Sequence, residues 1–285
     1  MLTVGILANP QKAGALQALL ALRAALDAHA CRWVLDLQAA AMLGETGGIP
    51  AAEFSRHVDV AAVLGGDGTM LDVLCRLGDF DKPVAGINIG RLGFLTSCTD
   101  AELDAFAAAL TAGRFTTSVR SLLAVTILRA GQAHSSFIAL NEVTLARGET
   151  GRLVSVSAAV NGELLNHYRA DGLIVATPTG STAYSLSAGG PLIAPSAAVF
   201  VITPICPHSL SQRSLVLSDD SVVEISPEAL DSGPMLFTVD GRDTTRIEPG
   251  DRIVVKKAAH SLHLLLLEDR SFYQALRQKL RWQGL

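Results

Sequence analysis

The sequence pattern changes near residue 98, and this change constrains the fold more than any other feature of the chain. Before it, strand-like apolar runs alternate with stretches of helical spacing. The strand-like runs cover residues 2–9, 33–37, 58–64 and 83–89, and the helix-like stretches cover residues 14–30 and 69–77. Strands that alternate with helices predict a parallel sheet covered on both faces. We therefore predict a doubly wound α/β domain over residues 1–98.

After a short helix predicted at residues 100–110, strand-like runs follow one another with few helical patterns. Asn161-Gly162 and Asp240-Gly241 each lie between two such runs, as the tight turns of β-hairpins require. This spacing predicts an all-β, sandwich-like domain over residues 99–266. Residues 271–282 then have the pattern of a basic amphipathic helix, and we expect the segment 267–285 to pack back on the N-terminal domain.

The composition excludes several classes of protein. Hydrophobic residues make up 49% of the 285 residues and charged residues 18%, which excludes intrinsic disorder. A net charge of −4 gives no general reason to bind nucleic acid or an anionic membrane. The four cysteines lack zinc-site spacing, and no apolar run approaches the ~20 residues that span a bilayer. We expect a soluble cytoplasmic protein.

A glycine-rich segment, Gly65-Gly66-Asp67-Gly68-Thr69, joins a predicted buried strand to a predicted helix. Glycines let backbone N–H groups approach a ligand closely, and a helix N-terminus carries unpaired donors that suit phosphate. The alternative is a tight strand-to-helix turn in which Asp67 or Thr69 is the N-cap. Geometry alone favours neither interpretation.

The aspartate in this segment favours a catalytic role over a purely structural turn. A carboxylate among phosphate-binding amides repels phosphate unless it holds a metal ion or accepts a proton, and a hydroxyl that attacks a phosphoryl group needs such an acceptor. The sequence contains neither the GxxxxGK[ST] motif of P-loop enzymes nor a GxGxxG after its first strand. Those two modes of nucleotide binding are therefore excluded.

Two polar segments of the β-rich half are further candidates. Asn141-Glu142 lies inside an apolar run, where an amide and a carboxylate need partners; the alternative is a strand end exposed to water. Residues 177–191, with the sequence TPTGSTAYSLSAGGP, form a longer polar loop than a turn needs. Its hydroxyls and Tyr184 suit a nucleoside, whereas the alternative is a loop packed on itself.

These segments, together with GINIGRLGFLT at 86–96 and TPICPHSLSQR at 203–213, resemble the bacterial NAD kinase family, whose members use ATP or polyphosphate. Their order and spacing match over nearly the whole chain. The GGDG motif alone is shared with lipid kinases and phosphofructokinase-type kinases, whereas the 177–191 segment is far more specific. The resemblance implies phosphorylation of NAD at the 2′-hydroxyl of its adenosine ribose.

The resemblance also implies roles for single residues. Asp67 would accept the ribose proton with Gly68 beside it, and a divalent cation, Mg²⁺ or Mn²⁺, would spread the charge of the donor phosphates, with its protein ligands left open. Asn141 and Glu142 would hold the ribose and adenine region of NAD, and Asp171 the nicotinamide end. Family members are homo-oligomers in which a neighbouring subunit contributes to the nucleotide site, so we expect a homodimer or homotetramer.

The other implied positions surround the dinucleotide. The adenine pocket would be lined by Thr182, Ala183, Tyr184, Ser185, Leu186 and Ser187. Arg152 and Arg169 stand where the family has dinucleotide contacts. Arg242 stands where the family often has Gln after Asp-Gly, and it is a further candidate for contact with a phosphate or ribose. Two alternatives to a NAD kinase remain, a non-catalytic dinucleotide sensor and a lipid kinase that shares GGDG.

Overall fold

The computed structural model describes residues 2–90, 93–148, 152–228, 234–268 and 270–282. The helices are α1 (Ala15–Ala28), α2 (Leu37–Met42), α3 (Phe54–His57), α4 (Asp67–Leu77), α5 (Leu103–Ala112), α6 (Tyr184–Ser187) and α7 (Phe272–Lys279). Short 3-10 helices cover Ala51–Glu53, Asp100–Glu102 and Gly180–Thr182. None of these helices combines the length and the apolar character that a membrane crossing requires.

The strands are β1 (Thr3–Ala8), β2 (Arg32–Leu35), β3 (Val60–Gly65), β4 (Val84–Asn88), β5 (Cys98–Thr99), β6 (Phe115–Arg120), β7 (Leu123–Arg129), β8 (Gln132–Ala139), β9 (Glu142–Arg147), β10 (Val154–Val160), β11 (Glu163–Ala170), β12 (Gly172–Ala176), β13 (Val199–Ile205), β14 (Leu215–Ser218), β15 (Val223–Pro227), β16 (Met235–Val239), β17 (Asp243–Ile247), β18 (Arg252–Lys257) and β19 (Leu262–Leu267). The chain divides into two compact units. Unit 1 contains Met1–Val119 and Leu262–Leu285, and unit 2 contains Arg120–Ser261.

Unit 1 is built on a sheet with the strand order β2-β1-β3-β4-β19-β6, in which β5 also pairs with β4. The pairs among β1, β2, β3 and β4 are parallel. Every residue of β3 and β4 is buried, because helices cover both faces of the sheet. The predicted doubly wound α/β architecture is confirmed.

The strand order places a switch point between β1 and β3, since β2 follows β1 on one side of the sheet and β4 follows β3 on the other. Ligands of open α/β sheets bind outside the carboxyl ends of the strands at such a point. The glycine-rich segment joins the carboxyl end of β3 to α4. The fold thus puts the first candidate segment where a ligand is expected.

The boundaries of unit 1 differ from the predicted ones at 98/99 and 266/267. Leu103, Phe106 and Leu110 of α5 join the same apolar core as α1 and β1, so unit 1 extends to residue 119. Strand β19, predicted for the β-rich domain, instead pairs in parallel with β4 through Leu264 and Val84. Its apolar run suits either sheet, and the chain returns to unit 1 at residue 262 rather than 267.

Helix α7 packs back on unit 1, as predicted. It buries Ala275 and Leu276, and the ring of Phe272 lies 6.2 Å from the ring of Phe94. Ser271 caps the helix by accepting a hydrogen bond from the Gln274 N–H. Regular helix covers only Phe272–Lys279, so the helix is shorter than the predicted range 271–282.

Unit 2 is the predicted β-sandwich. Its two antiparallel sheets have the orders β11-β10-β15-β18-β7-β8 and β14-β13-β12-β9-β16-β17. A single apolar core, which includes Val125 and Val156 of the first sheet and Leu173 and Phe237 of the second, joins their inner faces. The 161–162 and 240–241 turns both close hairpins, and the positive φ of 48° at Asp240 fits the predicted type of turn.

The second sheet also carries an apolar cluster on its outer face. Ile174, Val201 and Ile205 of β12 and β13 contact Ile193 there. Residues 177–193, which contain the second polar loop, leave β12 at its carboxyl end and pack over this face. The loop is therefore attached to the sheet that also contains Glu142 at the start of β9.

Candidate active site

The glycine-rich segment forms the turn that begins α4. Gly65 is the last residue of β3, Gly66 is the N-cap of α4, and Asp67 is the first helical residue. The hydroxyl of Thr69 accepts a hydrogen bond from the Gly66 N–H at 3.4 Å, and the Thr69 N–H donates to the Gly66 carbonyl at 2.9 Å. Gly68 is exposed, and a Cβ atom there would meet nothing within 4 Å. The turn thus leaves open space above a helix N-terminus.

The carboxylate of Asp67 is oriented by the backbone of a second segment. Its two oxygens accept hydrogen bonds from the N–H groups of Phe94 and Leu95, each at 3.0 Å. A Cβ atom on Gly93 would lie 2.1 Å from Asp67 Oδ1, so a larger residue there would displace the Asp67 carboxylate from this orientation. The alternative in which Asp67 is the N-cap is wrong, because Gly66 occupies that position and the Asp67 side chain points to the 93–95 segment.

A pocket of about 330 Å³ lies beside this turn at the switch point of the sheet. It is lined by Asn9, Pro10, Gln11, Gln38, Thr69, Asp72 and Arg76. The Arg76 guanidinium is held by the buried carboxylate of Asp36 and by Gln38 Oε1, the latter at 2.8 Å. Within the described ranges, no group of three or more His, Cys, Asp and Glu side chains could hold a metal ion.

In unit 2, the Asn141-Glu142 pair is anchored by Asp240, from the turn between β16 and β17. The Asp240 carboxylate accepts hydrogen bonds from three consecutive N–H groups, those of Leu140, Asn141 and Glu142, at 2.9, 2.8 and 3.1 Å. The Asp240 N–H in turn donates to the Glu142 carbonyl at 2.9 Å. Sequence reasoning identified Asp240 only as a turn residue, and no local pattern links it to residues 100 positions away.

Glu142 is buried at 6% exposure, which excludes the alternative of a strand end open to water. Its carboxyl group has the Tyr184 backbone N–H as a hydrogen-bond donor, whereas the buried Oε2 atom has no partner. Burial, reinforced by the neighbouring Asp240 charge, raises the pKa of Glu142 to about 8, against the lowering effect of the Tyr184 N–H. A buried carboxyl oxygen without a partner fits a site that a ligand completes.

Several hydroxyls of the 177–191 segment hold the segment in place. Thr177 Oγ1 donates to the Leu140 carbonyl at 2.5 Å, and Ser181 Oγ accepts the Ile193 N–H at 3.0 Å. The Ser185 and Thr203 hydroxyls bond each other at 2.9 Å, and both residues are fully buried. These three bonds join the segment to its neighbours Leu140, Ile193 and Thr203 rather than to itself, and the Ser185 hydroxyl of the predicted adenine pocket is engaged with Thr203.

Other residues of the same segment reach the surface. The ring of Tyr184 is 45% exposed, and Ser187 is exposed as well. Thr182, Ala183 and Leu186 are half-buried, and the Thr182 hydroxyl donates to the Thr179 carbonyl at 3.0 Å. Tyr184 thus combines an exposed side chain with a backbone N–H that donates to the buried Glu142 carboxyl group.

The structure does not bring Asp171 to the Asn141-Glu142 pair. Asp171 forms an ion pair of 2.7 Å with Arg147 at the far end of β9. Five strand residues at ~3.4 Å each separate that end from Glu142, a distance of about 17 Å. Arg169 is exposed on β11 close to Asp171, and Arg152 is exposed just before β10.

Arg242 lies in the same turn as Asp240. Its guanidinium contacts the Asp243 carboxylate at 3.3 Å, and its charge lowers the pKa of Asp240, which burial raises. The arginine in place of the usual Gln is therefore an electrostatic neighbour of the carboxylate that anchors Asn141-Glu142. This contact was not foreseen from the sequence.

A carboxylate oriented beside a glycine-rich helix N-terminus suits a nucleotide-dependent phosphotransferase, because the N–H groups suit phosphate and the carboxylate can accept the proton of an attacking hydroxyl. The family models described as ATP-NAD kinase N-terminal domain and ATP-NAD kinase C-terminal domain match residues 4–115 and 140–267. The chain belongs to the NAD kinase family.

Curated relatives and solved structures agree with this assignment. A NAD kinase from Chlorobium luteolum is 40% identical over 278 residues, which cover 98% of this chain and 96% of that protein. One from Carboxydothermus hydrogenoformans is 42% identical over 242 residues, or 84% and 86% of the two chains. The crystal structure of yeast NADH kinase complexed with NADH has a TM-score of 0.88 at 25% identity and covers 100% of this chain and 89% of that one.

Proposed function

We propose that this protein transfers a phosphoryl group from ATP to the 2′-hydroxyl of the adenosine ribose of NAD and so produces NADP. The observation that carries the proposal is the Asp67 carboxylate, which is oriented by the Phe94 and Leu95 N–H groups above the open N-terminus of α4. A sensor that only binds a dinucleotide has no use for an oriented base at that position. Membership of the family supports the same reaction.

In the proposed mechanism the protein supplies positioning, electrostatics and one proton acceptor. The N–H groups at the start of α4 face the donor phosphates, since a helix N-terminus carries partial positive charge. Asp67 accepts the proton of the attacking ribose hydroxyl, a contribution of ~10²–10⁴-fold for a well-placed base. The two N–H bonds on Asp67 fix the direction in which its remaining lone pairs point.

A divalent cation, Mg²⁺ or Mn²⁺, is part of the proposal. Mg²⁺ is usually held by one or two protein carboxylates together with substrate phosphates. Asp67 fits this chemistry, because each of its oxygens accepts one N–H bond and keeps a lone pair. The cation would neutralise charge on the donor phosphates.

We assign NAD binding to unit 2. Asn141 and Glu142 contact the ribose and adenine region, and the exposed ring of Tyr184 stacks on the base. Thr182, Ala183, Leu186 and Ser187, which are half-buried or exposed in the same segment, are proposed to line the adenine pocket, while Ser185 supports the segment through Thr203. In this proposal Arg242 acts through its neighbour Asp240 rather than by a separate contact with the ligand.

We further propose a homodimer or homotetramer in which a second copy completes the nucleotide site. The support for this proposal is the resemblance to the NAD kinase family, whose members are homo-oligomers with a nucleotide site completed by a neighbouring subunit. Glu142 and Asp171 are assigned to opposite ends of NAD, so their separation of about 17 Å does not bear on the oligomeric state. Asp171, Arg169 and Arg152 would then act on the dinucleotide held by the neighbouring subunit. The proposed location is the cytoplasm, where the four free thiols stay reduced.

The deciding experiment is a turnover assay on the purified full-length chain. NAD, Mg²⁺ and either ATP or polyphosphate are supplied, and NADP is detected through an NADP-specific dehydrogenase. Formation of NADP supports the proposal and identifies the donor. Binding of NAD without turnover by any donor or divalent metal would leave a sensor, and phosphorylation of diacylglycerol vesicles in place of NAD would leave a lipid kinase.

A further inference from the structure

Two buried carboxyl groups lie next to each other at the start of β9, and they differ sharply in their partners. Asp240 is surrounded by donors, with three backbone N–H groups on its carboxylate and the Arg242 charge beside it. Glu142 has one N–H donor, from Tyr184, and its Oε2 atom is buried without a partner. The pair is thus asymmetric in hydrogen bonding although both members are buried.

This asymmetry decides which group holds a proton. Two carboxylates that share a desolvated site do not both ionise at low cost, and hydrogen bonds to the charged form select the one that stays ionised. Asp240 has those bonds and Glu142 lacks them. Glu142 is therefore the protonated member of the pair, and its hydroxyl is placed on the oxygen that has no protein partner.

We propose that Glu142 binds the dinucleotide as a neutral carboxylic acid, which donates a hydrogen bond from Oε2 to a ribose oxygen or a ring nitrogen, and that Asp240 is the positioning residue that keeps it protonated. The inference rests on the proposed binding of NAD in unit 2. It reverses the ordinary expectation that a glutamate accepts hydrogen bonds from ribose hydroxyls.

The groups that face Glu142 come from two other elements. The turn between β16 and β17 contributes the Asp240 carboxylate, which has the Arg242 charge beside it, and the start of α6 contributes the Tyr184 N–H. Asp240 opposes ionisation of Glu142, and the Tyr184 N–H favours it. Since burial and the Asp240 charge raise the pKa of Glu142 to about 8, the donor is present at neutral pH and is lost as the pH rises above that value.

The test is calorimetric titration of NAD into the full chain from about pH 6.5 to about pH 9.5, for the natural protein and for Glu142→Gln. Glutamine keeps the size and a neutral N–H donor but does not titrate. We expect the natural protein to lose NAD affinity above pH 8, by up to about tenfold per pH unit, because each unit removes a further tenfold of the protonated form. Glu142→Gln should match it within about threefold near pH 7 and show no such fall.

Glu142→Asp is the complementary control, because it keeps a titratable carboxyl group but shortens the side chain by one methylene. This variant should bind NAD more weakly than the natural protein at every pH. A second readout does not depend on the ligand. The infrared difference spectrum between the natural protein and Glu142→Gln near pH 7 should contain the C=O band of a protonated carboxyl group. In Asp240→Asn the fall in affinity should move to lower pH, because the neighbouring charge is gone.

Each possible result of these measurements either supports or overturns the inference. An ionised carboxylate band, a tenfold loss of affinity in Glu142→Gln near pH 7, or a flat pH profile of the natural protein would overturn the inference while NAD binding itself stands. A natural protein that binds no NAD at any pH would overturn the proposed function, and the inference with it.

Discussion

A Cβ atom on Gly180 would lie 2.1 Å from the carbonyl oxygen of Asn141, closer than any side chain tolerates. The contact joins the 177–191 segment to the start of β9, and the hydrogen bond from the Thr177 N–H to the same carbonyl, at 2.9 Å, reinforces it. Tyr184, whose backbone N–H reaches Glu142, follows Gly180 by four residues. The geometry of the proposed NAD site therefore depends on this one close approach.

We expect Gly180→Ala to weaken NAD binding more than it weakens the fold. The added methyl group must displace either the Asn141 backbone or the loop, and overpacking of this kind costs about 1–3 kcal/mol. A shift of the loop away from Asn141 should lower NAD affinity at least tenfold in calorimetry. Gly47→Ala is the control, because its Cβ would meet nothing within 4 Å; equal affinity in both variants would contradict the prediction.

Asp67→Asn should lower kcat by ~10²-fold or more, since it removes the basic oxygen that accepts the ribose proton. The substitution also affects structure. The new amide NH₂ would face one of the two backbone N–H donors of Phe94 and Leu95, so we expect a loss of about 1–2 kcal/mol in unfolding free energy. Steady-state kinetics, with NAD affinity measured in parallel, should show a far larger effect on turnover than on binding.

The control for the structural part of this effect is Thr96→Val. It removes the hydrogen bond of 2.8 Å from the Gly93 N–H to Thr96 Oγ1 in the same segment but leaves the Asp67 carboxylate in place. A kcat loss in Thr96→Val as large as that in Asp67→Asn would assign Asp67 to loop geometry alone. Because Asp67 is also proposed to hold the divalent cation, recovery of Asp67→Asn activity by Mn²⁺ or raised Mg²⁺ would show that cation binding, rather than proton acceptance, is its main contribution.

Asn141→Ala tests the amide of the proposed NAD site. Loss of one neutral hydrogen-bond partner in a ligand site costs ~1–3 kcal/mol, which corresponds to a roughly ten- to hundredfold weaker affinity for NAD. The backbone N–H bond to Asp240 persists in the variant, so the turn keeps its anchor. Asn166→Ala on β11 is the matched control, and unchanged calorimetric affinity in Asn141→Ala would remove this side chain from the site.

The fold was predictable from the sequence where apolar residues recur with the period of a strand or a helix. The alternation of strands and helices predicted the sheet of unit 1, and the two hairpin turns predicted pairings of unit 2. The partner of β19 was not predictable, because the apolar run Leu262–Leu267 suits either a parallel or an antiparallel neighbour. Periodicity gives the direction in which side chains point, and it does not say which sheet a strand joins.

The site was predictable where a motif is local. The glycine-rich segment contains its own strand end, turn and helix start, so the place of Asp67 at the start of a helix could be predicted from spacing alone. Its role as proton acceptor stays a prediction. Two other contacts of the site join residues that are far apart in the sequence and form only when the chain folds. They are the hydrogen bonds from the N–H groups of residues 140–142 to the Asp240 carboxylate and the bond from the Phe94 N–H to the Asp67 carboxylate. The bond between the Ser185 and Thr203 hydroxyls was not predictable for a related reason, because a serine in a polar loop has the same sequence pattern whether it faces a ligand or the core. The place of Ser185 in the adenine pocket stays a prediction.

The buried Glu142 should also make stability depend on pH in the absence of ligand. Its pKa rises from an ordinary 4.5 to about 8 on folding, so between these values the folded chain binds the proton that the unfolded chain has released. Unfolding free energy should therefore fall as the pH rises through this window, by at most about 1.4 kcal/mol per pH unit, and level off above pH 8. Other titratable groups also make the free energy of unfolding depend on pH. The contribution of Glu142 is therefore measured as the difference in that free energy between the natural protein and a variant.

Denaturant unfolding of the natural protein and of Glu142→Gln at a series of pH values isolates this contribution. We expect Glu142→Gln to gain stability relative to the natural protein as the pH rises from about 5 to about 8, because its amide stays neutral. Glu163→Gln, at an exposed position on β11, is the matched control and should follow the natural protein in parallel. If the difference between Glu142→Gln and the natural protein did not change with pH, Glu142 would titrate alike in the folded and unfolded chains, and its burial next to Asp240 would have no energetic effect.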